Sequence, residues 1–137
     1  MIVQKVDIPT ADWVVTICYD ARSKNTDSII GALYSLDCPV RSLYKAERLL
    51  SSGVPNEGLT YSNKKSRESL IVIGHVTDVF QYINSLTHEK QHLEQAICNA
   101  DGLDPYGEEI AYISGDISQA IARNAWGSMR KLFLFLV

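Results

Sequence analysis

The chain has 137 residues, 46% of them apolar, and a formal net charge of −3. That suits one domain spanning 1–137 with a substantial core, and a mildly acidic balance without any basic run argues against nucleic-acid binding. No apolar stretch approaches a membrane span, and the start, Met1-Ile2-Val3-Gln4-Lys5, lacks the charged and apolar regions of a signal peptide.

In chain order, residues 2–8 form a short β-type run stopped by Pro9, and 13–19 are β-branched and aromatic enough to form a strand. From Asp27, the apolar residues Ile29, Ile30, Leu33 and Leu36 recur at helical spacing until Cys38-Pro39. A second helical stretch carries Leu43, Ala46, Leu49 and Leu50 and stops at Gly53 and Pro55. Residues 59–62 and 69–75 then read as two strands joined by the polar turn 63–68. The unbroken apolar run Leu70-Ile71-Val72-Ile73 predicts burial on both faces of the second.

A long helix is expected over 78–99, with Thr77 as N-cap and Gly102 as its stop. Asp104-Pro105 supplies an N-cap and a first-turn proline for a further helix over about 106–123, with more helix towards the end. Strands followed by helices make an α+β fold. The three cysteines, Cys18, Cys38 and Cys98, have no C-x-x-C spacing and read as reduced thiols of a cytoplasmic protein. The apolar end, 133–137, is expected to close the core or join two copies.

Inside the long helix lies His88-Glu89-Lys90-Gln91-His92, an H-E-x-x-H pentapeptide that takes two of the chain's three histidines. Residues four apart share a helix face, so both imidazoles can reach one metal ion while the glutamate addresses a water on it. The wheel sets Val79, Phe80, Ile83, Leu86, Leu93 and Ile97 on an apolar stripe with the histidines near its opposite side. The competing readings are a pair of solvated histidines and a surface carboxylate paired with a lysine.

Catalytic zinc usually takes three protein ligands and leaves a fourth position open. Glu108-Glu109, sixteen residues beyond His92, is the best source of the third. Glu108 borders a stripe of small residues, Ala111, Gly115, Ser118 and Ala122, across which another helix could approach closely, whereas Glu109 shares a face with Asp116 and Arg123. Glu108 is therefore the expected ligand and Glu109 the fallback. Both also suit the first turn of a helix on dipole grounds alone.

With these motifs the chain resembles the zincin metallopeptidases of the gluzincin type, which pair H-E-x-x-H with a glutamate on a downstream helix. Glu108-Glu109-Ile110-Ala111 matches their E-x-x-A pattern, which again selects Glu108. The resemblance covers about 75–122, and small domains of this kind occur in bacterial and phage-type proteins. It implies a small twisted, mainly antiparallel sheet packed with the H-E-x-x-H helix and a glutamate-bearing helix after it. It also implies one zinc ion per chain on His88, His92 and Glu108, and peptide hydrolysis with Glu89 as the base. Residues 69–75 become the candidate edge strand for an extended peptide, and Tyr112 and His75 the weak candidates for an oxyanion donor. A chain this short leaves a shallow cleft, or one completed by a partner protein or a second copy. The alternative function is a non-enzymatic metal-binding or protein-interaction module that keeps the fold.

Overall fold

The computed structural model describes residues 1–52 and 58–136, with side chains described up to 123. The expected helix stop at Gly53 and Pro55, and the side chains of the apolar end, lie outside the described residues.

Eight principal elements follow one another: β1 (Ile2–Ile8), β2 (Trp13–Ala21), α1 (Thr26–Ser35), α2 (Val40–Ser51), β3 (Gly58–Asn63), β4 (Glu68–Gly74), α3 (Val79–Asp101) and α4 (Glu108–Leu136). A 3-10 turn over Pro9–Ala11 reverses β1 into β2, with Asp12 in the left-handed region at φ 48°. β3 turns into β4 where the Asn63 carboxamide oxygen accepts from the backbone N–H groups of Lys65 and Ser66. An asparagine side chain that caps its own turn in this way explains why the polar stretch is a turn and not a longer strand.

The four strands form one mixed sheet in the order β1-β2-β4-β3. β1 with β2 and β3 with β4 are antiparallel, whereas the central pair, β2 and β4, is parallel. A parallel pair cannot be closed by a hairpin, so the chain leaves β2 through α1 and α2 before returning. α+β is the fold observed, with its sheet covered on both faces.

β4 shows how. Leu70 and Val72 join Ile29, Leu33 and Ala46 in a core under α1 and α2. Ile71 and Ile73 join Val15, Ile17, Leu93, Ile97 and Ile117 in a second core under α3 and α4. Successive side chains of a strand point to opposite faces, so an unbroken apolar run is what a centre strand between two helical layers needs.

α3 starts one residue later than expected: Asp78, not Thr77, is the N-cap, its carboxylate accepting from the Gln81 N–H at 2.9 Å. It ends as expected at Gly102, which adopts φ 65°, a conformation that costs glycine little. Asp104 caps a turn through the Tyr106 N–H, and α4 begins only at Glu108, then runs unbroken to Leu136. Arg67, in the β3–β4 turn, holds the far end of α3. Its guanidinium donates to the Asp101 carboxylate through two nitrogens (2.7 and 2.8 Å) and to the Ala11 and Asp12 carbonyls, and lies 4.9 Å over the Trp13 ring.

Two expected faces are corrected. On α3 the buried side chains are Tyr82, Ser85, Glu89, Leu93, Ile97 and Cys98, whereas Phe80 and Ile83 are exposed. The stripe that meets the sheet runs through a serine and a glutamate, so apolar residues alone misplace it. On α4 the isoleucines Ile110, Ile113, Ile117 and Ile121 are buried and the small residues Ala111, Gly115, Ser118 and Ala122 face out. Burying four isoleucines removes far more apolar area from water than burying the small stripe, and the helix rotates accordingly.

Candidate metal centre

α3 packs across β3 and β4, and its i, i+4 geometry brings His88 and His92 together on the flank beside β3. Their Nε2 atoms are 3.2 Å apart, with the rings edge-to-face at 76°. Two zinc–imidazole bonds of about 2.05 Å at a tetrahedral angle span roughly 3.3 Å between their nitrogens. The same 3.2 Å is hydrogen-bond distance between the rings, so the pair stands as an exposed, mutually bonded imidazole couple whose nitrogens are close enough to share one ion.

Glu89 is not at the surface. Only 4% of it is exposed, and its carboxylate enters the seam between α3 and the sheet. Thr60 Oγ1 donates to Glu89 Oε2 at 2.7 Å, and the same hydroxyl lies 3.1 Å from the Glu89 carbonyl oxygen. Oε1 is 4.0 Å from His88 Nε2. Withdrawing a carboxylate from water is costly unless something compensates it; here one hydroxyl donates to it, while the His88 imidazole at 4.0 Å lies beyond hydrogen-bond distance. The reading of Glu89 as a plain surface carboxylate does not survive this burial.

The histidines and Glu89 line a cavity of about 500 Å³ between α3 and the sheet edge, whose other walls include Thr60, Ser62, Lys64, Gln95 and Asn99. The strand along this cavity is β3, the edge of the sheet, and not 69–75, which is the interior strand β4. β4 hydrogen-bonds to β2 on one side and to β3 on the other, so both of its ladder edges are occupied and it cannot accept a further strand.

The remaining candidates lie elsewhere. Glu108 and Glu109 are exposed at the start of α4, and among the described residues no three His, Cys, Asp or Glu side chains are close enough to share an ion. The cause is the flank on which α4 docks. It meets α3 through Lys90, which donates to Ser114 Oγ at 2.7 Å and pairs with Glu94, next to a second cavity of about 390 Å³ lined by Cys98, Pro105 and Ile110 among others. At 100° per residue, Lys90 and Glu94 lie on the other side of Glu89 from His88 and His92. The structure thus assembles the H-E-x-x-H trio without bringing Glu108, or Glu109, to it.

Tyr112 is 72% exposed and does not line the site cavity. His75 sits just past β4, its Nδ1 2.7 Å from Asp20 Oδ1 and 3.0 Å from an Arg22 guanidinium nitrogen, and it too is outside the cavity. Neither is placed to act on a group bound by the histidines. Sequence reasoning missed Thr60 and Gly58, which touch Glu89 from β3; nothing in a Gly-Leu-Thr-Tyr run signals that contact.

No helix among the described residues is long and apolar enough to cross a membrane. No protein-family model, no curated protein and no solved structure matches the chain, so the site stands on its own geometry.

Proposed function

We propose that this chain is a zinc-dependent hydrolase acting on peptide bonds. The observation that carries the reading is the His88–His92 Nε2 separation of 3.2 Å with the buried Glu89 carboxylate beside it. His88 and His92 would hold the ion, one per chain. When bound there, zinc would lower the pKa of a water from about 16 towards 7 and polarise a carbonyl. Glu89 takes a proton from the attacking water and returns it to the departing amine. Peptide substrate would lie along the outer side of β3, the edge strand among the described residues, where main-chain hydrogen bonds favour an extended backbone without demanding a sequence.

Three buried free thiols fit a reducing compartment, and the cytoplasm is the proposed location. A partner protein or a second copy would complete the cleft and could supply a further ligand. The absence of a third protein ligand among the described residues is the observation that favours the rival reading, a non-enzymatic metal-binding or interaction module.

Metal analysis by mass spectrometry, with turnover measured on an unfolded protein substrate, separates the two. About one zinc per chain is expected in the parent and in Glu89→Gln, with turnover lost in the latter, and no zinc in His88→Ala or His92→Ala. Zinc in the parent without any turnover would favour the module. Glu108→Ala is expected to keep its zinc; loss of zinc there would show that α4 carries Glu108 to the histidines when metal binds.

A further inference from the structure

We infer that Thr60 and Gly58, both on the α3-facing side of β3, divide the two oxygens of Glu89 between an anchor and a reacting atom. The inference rests on the reading of Glu89 as the general base and names the residues that hold it in place. Thr60 Oγ1 binds Oε2 at 2.7 Å, while Oε1 lies on the histidine side, 4.0 Å from His88 Nε2. A carboxyl group that accepts a proton on Oε1 keeps a carbonyl-type Oε2, which still accepts from the threonine hydroxyl. Thr60 therefore fixes Oε2 and leaves Oε1 as the oxygen turned towards the histidines, the one placed to exchange a proton with a group held there. No rotation of the carboxyl group is needed between the two transfers.

Gly58 keeps that oxygen reachable. A β-carbon at residue 58 would stand 2.8 Å from Glu89 Oε1, 2.9 Å from Glu89 Cγ and 2.8 Å from the Val72 carbonyl oxygen. The Val72 carbonyl belongs to the backbone of an interior strand and has no room to retreat. Any side chain at 58 must therefore push Glu89 off its place or lift β3 from α3. Thr60 and Gly58 lie two residues apart on one strand, so they address the same carboxylate from the same face.

The test has one readout that does not depend on turnover. In protein labelled with 13C at the glutamate carboxyls, deuteration of the Thr60 hydroxyl is expected to shift the Glu89 resonance in the parent and in Thr60→Ser, and not in Thr60→Val. Zinc uptake, with Zn2+ alone as probe, is expected to be unchanged in Thr60→Val and Gly58→Ala. In Thr60→Val, kcat is expected to fall at least ~10-fold with KM unaltered, the loss of a positioned general base, and Thr60→Ser is expected to recover most of it; in Gly58→Ala, where β3 itself is displaced, kcat is expected to fall and KM to rise. The melting temperature of each variant checks that it folds. Absence of the isotope shift in the parent overturns the anchor. Parental kcat in a folded, zinc-loaded Thr60→Val chain overturns the positioning role. A zinc-loaded parent that cleaves nothing, yet shows the isotope shift, overturns the hydrolase reading and the role of Oε1 while retaining the anchor.

Discussion

Glu89 combines two demands that pull against each other. A carboxylate with 4% exposure and one hydroxyl donor is poorly solvated, and the fold bears that cost where α3 meets β3 beside Thr60. Residues kept for chemistry often carry such a cost, and relieving it stabilises the protein while removing its function. Glu89→Gln keeps the shape and can still accept the Thr60 hydrogen bond through its carboxamide oxygen, but it removes the buried charge. At neutral pH and without metal, its urea unfolding free energy should rise by about 1 kcal/mol. A lower midpoint in that titration would mean that the ionised carboxylate is stabilising where it stands. The histidine pair was legible at this scale because i, i+4 proximity is a property of any helix. The Thr60 contact was not, because it joins residues 29 apart through strand placement.

At the scale of elements, the approach of α3 and α4 to the sheet decides what the site contains. A polar chain ties these layers together inside the core: Tyr19 O–H donates to Gln4 Oε1 at 2.7 Å, and Gln4 Nε2 donates to the Ile121 carbonyl on α4. Tyr82 on α3 packs against Tyr19, ring centroids 6.1 Å apart. Burial pushes the Tyr82 phenol up from 10.0 to about 12, and burial likewise raises Tyr19. A phenol whose folded pKa is raised favours the folded state at every pH below its unfolded value. That contribution drains away as pH climbs from 10.0 towards 12. Thermal melts followed across this alkaline window should show a steep loss in the parent and a shallower one in Tyr82→Phe. Equal slopes would show that the phenol carries no such linkage. Helix and strand positions were readable from periodicity and breakers to within a few residues. Which face each helix buries was not: Ser85 and Glu89 lie on the buried stripe of α3, and a hydrophobic tally passes over both.

For the whole molecule, the sheet is shared by two helical layers whose cores, among the described residues, meet across its strands. Ile71 reaches one core and Val72 the other from adjacent positions on β4. Removing buried side-chain carbons from either position should lower the same unfolding transition, by about 3 kcal/mol for Ile71→Ala and about 2 for Val72→Ala. Denaturant unfolding followed by far-ultraviolet circular dichroism and by tryptophan fluorescence gives the readout. Coincident transitions in both variants are expected; a split in either would show that one layer unfolds without the other. The run 70–73 allowed burial on both faces of its strand to be anticipated, though not the strand's central place in the sheet. The edge strand beside the histidines was assigned wrongly, since sequence order says nothing of spatial order in a sheet, and β3 lies outside β4 although it precedes it.

What short-range geometry controls could be read from the chain alone: the strand and helix segments, the stop at Gly102, the two-faced burial of 70–73, and two imidazoles converging on one helix flank. Each depends on residues within a turn or two of one another, where backbone geometry leaves few choices. Tertiary structure alone decided that Glu89 is buried against Thr60 and Gly58, that β3 borders the cavity, and that α4 docks on the Lys90 flank and leaves Glu108 away from the histidines. Those outcomes follow from competition among whole faces for burial, in which the isoleucines of α4 and the sheet-facing stripe of α3 outweigh any single polar residue.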